Sequence, residues 1–199
     1  MVRVPVVLAS ASPRRAELLR QIGIPFEVIA AIVDETLLPD EPPLVYVERL
    51  ARSKAGAVTS PERITVAADT VVVVDDVILG KPRDQSDGVA MLLSLQGRSH
   101  MVHTGLCVSD GSISRSLSVS ARVEFRKLDR TEALAYVATG EGRDKAGGYG
   151  IQGIGGIFAQ TIEGSYSAVV GLPLTETELL LREFGVDTWR YRNRYCNNG

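Results

Sequence analysis

Cysteine, histidine and tryptophan are scarce in this 199-residue chain, which has two, two and one of them. Cys107 and Cys196 stand far apart and fit no metal-ligand spacing. A disulfide framework is therefore not expected, and both read as free thiols of a reducing compartment. His100 and His103 fall in one predicted strand, where an isolated histidine is more often structural than catalytic. No serine sits in a nucleophile elbow and no Cys/His couple is apparent, so the chemistry left is carboxylate, metal and water, without a covalent intermediate. An excess of one charge is lacking too: 22 Lys and Arg face 24 Asp and Glu, a net charge of −2. Nothing draws the whole molecule to nucleic acid or to an anionic membrane, and any phosphate site must be a local cluster. No apolar run is long enough to span a bilayer, and the first residues carry no h-region of signal-peptide length, so a cytoplasmic protein is expected. Repeats, low-complexity blocks and clear linkers are absent. The length suits one domain over residues 1–199, built as two lobes around one core.

What is present alternates between strand and helix patterns, which predicts an α/β fold. Residues 4–9 read as a buried strand. A polar turn follows, then a helix with Ser12 at the N-cap, Pro13 at its first position, Leu18, Leu19 and Ile22 on its apolar face, and Gly23 as its stop. That helix opens with free N–H groups, a positive dipole end, two hydroxyls and two arginines, Arg14 and Arg15. The arrangement suits a polyphosphate, or else is a capped surface helix with solvated arginines. Residues 26–30 form a predicted second strand, and the acidic, proline-rich stretch 34–43 is the expected mobile loop. Residues 44–58 have helical periodicity, with Val47, Leu50, Ala51 and Ala55 on one face. A β-branched run over 65–74 turns at Val74-Asp75-Asp76-Val77 and returns to Gly80-Lys81-Pro82. Ser86 is placed to cap a helix to about Leu95, ended by Gly97. Two long strands, 100–109 and 117–125, pair around Asp110-Gly111. Residues 131–138 are helical, and 174–184 form a final helix before Gly185.

Asp69 is the first catalytic candidate. It interrupts the apolar run made by Val66, Ala67, Ala68 and Val71, and a carboxylate there needs a partner, a metal or an open cleft. The other reading is a strand-end Asp bonded to a nearby amide, but Thr70 beside it and Lys81 soon after favour function. Lys81 can hold a phosphate as a point charge or can be a surface turn lysine. Asp34 and Glu35 offer oxygen ligands for a hard divalent cation, or are solvated. Lys54, read alone, belongs to a solvated helix face. The stretch from Asp144 to Gly156 is too glycine-rich for a regular helix, and it is neither a P-loop nor a dinucleotide fingerprint. Its backbone amides can approach a base or phosphate, and Gln152 can present both donor and acceptor to a base edge. Otherwise it is a tight crossover with a structural glutamine.

Five short motifs occur in order: Ser10-Ala11-Ser12-Pro13-Arg14-Arg15, Ala68-Asp69-Thr70, Gly80-Lys81-Pro82, Asp144-Lys145-Ala146-Gly147 through Gln152-Gly153, and Val170-Gly171-Leu172-Pro173. Together they resemble the Maf (septum-formation-inhibitor) family of nucleotide pyrophosphatases, from residue 7 to about 185. The resemblance implies an elongated α/β fold related to the inosine triphosphate pyrophosphatases (Maf/Ham1-like), with a mixed sheet, flanking helices and a cleft between two lobes. It implies hydrolysis of a nucleoside triphosphate between the α and β phosphates, a requirement for Mg²⁺ or Mn²⁺, and a homodimer. By motif, Asp69 is the general base and a metal ligand. Ser10, Arg15, Lys54 and Lys81 hold phosphates, and Glu35 positions metal or water. Arg14, Thr70 and Gln152 fall at the positions that sort the family by base. This set is similar to the branch acting on dTTP, UTP and modified uridine triphosphates rather than on 7-methyl-GTP. A neutral amide pairs with both N3–H and O4 of uracil or thymine. A nucleotide-sensing, non-catalytic regulator of cell division is the other class the resemblance leaves open. The tail from Asp187 to Cys196 interleaves arginines with aromatics. It is expected to pack on its own domain or on a dimer partner rather than to stack on single-stranded nucleic acid.

Overall fold

The computed structural model describes residues 6–192. The chain folds into two compact units. One contains the residues up to Asp69, Thr104–Val119 and those from Gly171 on; the other contains Thr70–His103 and Ser120–Val170. The strands are β1 (Val6–Leu8), β2 (Phe26–Val28), β3 (Ile64–Val74), β4 (Val77–Leu79), β5 (Ser99–Ser109), β6 (Ser114–Phe125) and β7 (Ala159–Glu163). They form a mixed seven-stranded sheet in the order β2-β1-β3-β5-β6-β7, with β4 paired to β3. β1 runs parallel to both β2 and β3, whereas β3–β4 and β6–β7 are antiparallel. The helices are α1 (Pro13–Gln21), α2 (Pro43–Val58), α3 (Gln85–Leu95), α4 (Arg130–Ala138), α5 (Tyr166–Val170), α6 (Leu174–Glu183) and α7 (Thr188–Arg192). The α/β class predicted from the alternating pattern is therefore the observed one.

In the first unit, β1 is buried along its whole length, as expected of an interior parallel strand. Behind it α2 packs through small residues: Ala51 and Ala55 meet Ala9, Ala67 and Cys107. The close approach is enforced at Gly105 of β5, where a Cβ would lie 2.2 Å from the Val47 carbonyl oxygen. In the second unit, α3 and α4 close over Val72, Val102, Val123 and Phe125. Residues 120–125 of β6 alternate exposed and buried, the period of a half-buried strand. His100 is 2% exposed, stacks edge-on against Phe125 and Tyr149, and its Nε2 meets the Tyr149 hydroxyl at 2.8 Å. Its structural role matches the reading of a lone strand histidine.

Several local expectations are corrected. Ser12 is the N-cap of α1 and Pro13 opens the helix, but the Ser12 side chain does not cap; its N–H donates to Ser10 Oγ instead, at 3.1 Å. The cap of α3 is Asp84, not Ser86. The Asp84 carboxylate accepts the Asp87 N–H at 2.8 Å, and the positive helix end favours the charged cap two residues earlier. α6 is not the final helix, because α7 follows it and Thr188 Oγ1 donates to Glu178 Oε1 at 2.5 Å. The described part of the tail thus packs on α6, while its residues 193–199, including Cys196, lie outside the described residues. The Asp75-Asp76 turn is as predicted, with φ of 49° and 61°, the left-handed pair that a tight hairpin between β3 and β4 requires.

Candidate active site

The first unit holds six of the candidate residues, Ser10, Arg14, Arg15, Glu35, Lys54 and Asp69. β1 ends at Leu8, and Ala9 still donates to the Val66 carbonyl at 2.8 Å before the chain turns. This holds Ser10 beside the central strand. Ser10 is buried, and its Oγ accepts both the Ser12 N–H and Arg15 Nη1, the latter at 3.4 Å. Arg15 Nε donates to the Gly171 carbonyl at 2.9 Å, which fixes the guanidinium over the first turn of α1. Burial lowers the pKa of Arg15, and the negative charges of Asp69 and Glu35 oppose that shift. An arginine remains a cation under such a shift. Arg14 precedes Arg15 in the first turn of α1, and its charge disfavours that of Arg15.

Lys54 is the centre of the cluster. It lies on the buried face of α2 with Val47, Leu50, Ala51 and Ala55, contrary to the solvated helix face read from the sequence. Its Nζ donates to Asp69 Oδ1 at 2.6 Å and pairs with Glu35 Oε1 at 2.7 Å. Burial forces the arrangement, because an ammonium removed from water must find anionic partners. Asp69 is 8% exposed, in the middle of β3, so the partner that its apolar neighbours demanded is Lys54. Glu35 is about half exposed, so the cluster is open to solvent on the Glu35 side.

The loop that carries Glu35 is tied down rather than loose. Asp34 Oδ1 accepts both the N–H and the hydroxyl of Thr36, at 2.9 and 2.6 Å. Those two bonds, the hydroxyl's first, hold the Asp34 carboxyl below its usual pKa. Of the acidic pair, Asp34 therefore serves the turn and only Glu35 joins Lys54. The Tyr46 hydroxyl donates to the Glu35 carbonyl at 2.8 Å. Arg49 forks onto Glu41 at 2.6 and 2.7 Å and reaches the Thr36 carbonyl at 3.0 Å. Tyr46, Arg49 and Glu41 went unnoticed in the sequence. For Tyr46 and Arg49 the available signal was their spacing on α2, one turn apart, which sets Arg49 over the Tyr46 ring at 5.4 Å.

The second unit holds Thr70, Lys81 and Gln152. Thr70 follows Asp69 on β3 and is half-buried. Lys81 is exposed in the segment after β4. The Gly80 carbonyl there accepts the Gly147 N–H at 3.0 Å, which joins the Gly80-Lys81-Pro82 turn to the glycine-rich stretch. That stretch contains two 3₁₀ turns, Ala146–Gly148 and Ile154–Phe158, and no regular helix, as predicted. Gln152 is exposed between them. The amides that the sequence offered to a ligand are used within the chain. Ile154 N–H and Gly155 N–H donate to Glu141 at 2.8 and 2.9 Å. Gly150 N–H donates to the Tyr136 hydroxyl at 2.9 Å. Neither Glu141 nor Tyr136 was singled out from the sequence, because partners that are backbone amides leave no residue-type signal.

The arrangement in the first unit can hold an anion against Ser10 and Arg15 beside a carboxylate–ammonium–carboxylate group. Among the described residues no cluster of three or more His, Cys, Asp or Glu is placed to hold a metal ion. No helix among them is long and apolar enough to cross a membrane.

Comparison with known proteins agrees with the motifs. The family model described as "Maf-like protein" matches residues 5–184. A relative from Pseudoalteromonas atlantica, named dTTP/UTP pyrophosphatase, is 50% identical over 182 residues, covering 88% of this chain and 95% of its own. One from Vibrio cholerae with the same name is 50% identical over 182 residues, covering 90% and 97%. The chain belongs to the Maf-like family.

Proposed function

We propose that this protein is a nucleoside triphosphate pyrophosphatase that hydrolyses dTTP and UTP, and modified uridine triphosphates, to the monophosphate and pyrophosphate. It would remove such nucleotides in the cytoplasm before they enter nucleic acid. The observation that carries the reading is the Lys54 ammonium held between Asp69 and Glu35, in the same unit as Ser10 and Arg15. The activity named for relatives that align over about nine-tenths of the chain supports it.

Ser10 Oγ and the Arg15 guanidinium supply a hydroxyl and a fork of N–H donors for phosphate oxygens. Lys54 and Lys81 add positive charge. An arriving triphosphate competes with Asp69 and Glu35 for the Lys54 ammonium. Transfer of Lys54 to a phosphate oxygen leaves an Asp69 lone pair open to accept a proton from water. The water oxygen then forms its bond to the α phosphorus. The bond from that phosphorus to the α–β bridging oxygen breaks, and pyrophosphate leaves with the electron pair. Donors placed where charge develops are each worth about 10²–10³ in rate.

Mg²⁺ or Mn²⁺ belongs to this reading. Glu35 Oε1 and Asp69 Oδ1 already meet on one cationic centre, and hard oxygen donors of this kind suit either ion. Two carboxylates are a sparse ligand set, so phosphate oxygens and water would complete it. When bound, the ion neutralises triphosphate charge and acidifies water. Arg14, Thr70 and Gln152 would set the choice of base, with the Gln152 amide complementary to N3–H and O4. We also read the protein as a homodimer, which would cover the exposed Ile32, Leu37, Leu38, Leu44 and Val45.

The test is pyrophosphate release from a panel of nucleoside triphosphates, with Mg²⁺ and Mn²⁺ assayed separately and with a chelator. Release from dTTP and UTP but not 7-methyl-GTP, abolished by chelation, is the expected result. Release from 7-methyl-GTP alone would overturn the assignment of base. Nucleotide binding without release under any condition would favour the regulator.

A further inference from the structure

We propose that Glu141, with Tyr136, is the positioning residue of the base-reading segment: its carboxylate holds residues 150–155 in the conformation that presents Gln152 to a uracil or thymine. The inference rests on the proposed pyrimidine specificity and adds to it a residue outside the five motifs. All of it lies within the second unit.

Both oxygens of Glu141 are engaged. Oε1 accepts the Tyr136 hydroxyl and the Gly155 N–H, each at 2.9 Å. Oε2 accepts the Ile154 N–H at 2.8 Å. Tyr136 is 3% exposed, and its oxygen also accepts the Gly150 N–H at 2.9 Å. The clamp therefore grips the chain two residues before Gln152 and again two and three residues after it. Between the grips the backbone closes on itself, with Gly153 N–H on the Gly150 carbonyl at 3.1 Å. Burial works to raise the Glu141 pKa, but the bonds from Gly155, Ile154 and Tyr136 outweigh it and hold the carboxyl below its usual value. The clamp is thus charged at neutral pH.

The glycines of this segment follow from the carboxylate. A Cβ at Gly153 would stand 2.4 Å from Glu141 Oε2, and one at Gly155 would stand 2.9 Å from the Tyr136 hydroxyl. Glycine is required there to admit Glu141 among the amides, not to bring the amides to a ligand. Within this segment the exposed Gln152 amide is the side chain offered to a base, alongside the roles proposed for Arg14 and Thr70. That amide can rotate to match cytosine as well as uracil, because its two ends are a donor and an acceptor. Discrimination between them needs the amide held at a fixed depth and direction, and a loop fastened at one point would not supply that.

Glu141→Gln is the main test. It keeps the shape but replaces one acceptor oxygen by an NH₂ that faces an N–H. Tyr136→Phe removes only the hydroxyl and serves as the milder variant if the first fails to fold. Two ratios are read for each protein: kcat/KM for dTTP over dCTP, and affinity for dTTP over dCTP without divalent metal. Glu141→Gln is expected to lower both ratios about tenfold or more, with KM for dTTP rising more than kcat falls. Tyr136→Phe is expected to shift them the same way by a few-fold, and Glu141→Asp to recover part of the loss. Faster amide exchange at Gly150, Ile154 and Gly155 should accompany the change. A general loss of folded protein would lower kcat equally for both nucleotides. Ratios unchanged in both variants, with exchange accelerated, would overturn the proposal and leave a purely structural clamp. A wild-type protein that does not cleave dTTP would overturn the pyrophosphatase reading instead, while the metal-free affinity ratio still decides the role of Glu141.

Discussion

Asp69 and Lys54 depend on each other, and the two substitutions that separate them should behave differently. Asp69→Asn keeps an oxygen for Lys54 to donate to and removes the proton acceptor. Turnover of dTTP should fall about 10²–10⁴-fold while the affinity for dTTP changes little, a split that single-turnover kinetics and calorimetric binding would display. Lys54→Met leaves Asp69, a buried carboxylate, and Glu35 without the ammonium that joins them. It should lose activity by about 10²–10³-fold and lose stability as well. Removing the ammonium also vacates the carboxylate oxygens that a divalent ion would use. Mn²⁺ should therefore raise the melting temperature of metal-free Lys54→Met by more than that of wild type. An equal or smaller rise would mean that the ion does not use this pair of carboxylates. Read alone, Lys54 was placed on a solvated helix face, although it lies on the same helix face as Val47, Leu50, Ala51 and Ala55, where a lysine inside an apolar stripe calls for a partner. The partner was not legible, because Glu35 and Asp69 reach it from a loop and a strand whose packing only the fold determines.

The element that sets the position of Lys54 is α2, and its seat on β5 is Gly105. A Cβ there would stand 2.2 Å from the Val47 carbonyl oxygen and 2.7 Å from the Glu48 nitrogen, so Gly105→Ala must push the helix backbone outward. Overpacking of this kind costs about 1–3 kcal/mol, and urea denaturation should register it. The same shift carries Lys54 and Tyr46 with it, so residual activity per folded molecule should fall too, which a destabilisation without displacement would not cause. α4 offers a quieter test. Asp129 and Glu132 form a reciprocal capping box, and Asp129→Ala should cost about 1 kcal/mol with no change in KM. Elements of this length were readable from periodicity: β3 from its β-branched run, α2 from its apolar stripe, and the β3–β4 turn from Asp75-Asp76. Errors came where two polar residues competed for one role, as Asp84 and Ser86 did before α3. They also came where a short helix such as α7 has too few turns to show a period. The clamp at Glu141 was hidden for another reason: its donors are main-chain N–H groups that every residue of the segment possesses.

For the molecule as a whole, acid should act first through a histidine. The chain has only two histidines, the side chains that ordinarily change charge between pH 7 and about 6, before the carboxyls begin to titrate. Several carboxyls, among them Asp75, Asp87, Glu132 and Glu141, sit below their usual pKa through hydrogen bonds. Their stabilisation is present above the unfolded value and is lost only in stronger acid. His100 differs. Burial between Phe125 and Tyr149 lowers its pKa from 6.5 to about 4, so the folded state stays neutral while the unfolded chain takes up a proton. Its contribution is complete above pH 6.5 and declines as the pH falls toward 4. At 1.36 kcal/mol per pKa unit the loss is about 2 kcal/mol by pH 5 and about 3 kcal/mol by pH 4. His103, also lowered by burial, adds to the same trend with the same sign. Unfolding free energies of wild type and His100→Gln measured at pH 7, 6 and 5 should separate the two groups. The variant starts less stable, because the edge-on ring contacts are gone, but its stability should fall much less over that range. Parallel pH dependence in the two proteins would mean that acid lability originates elsewhere than at His100.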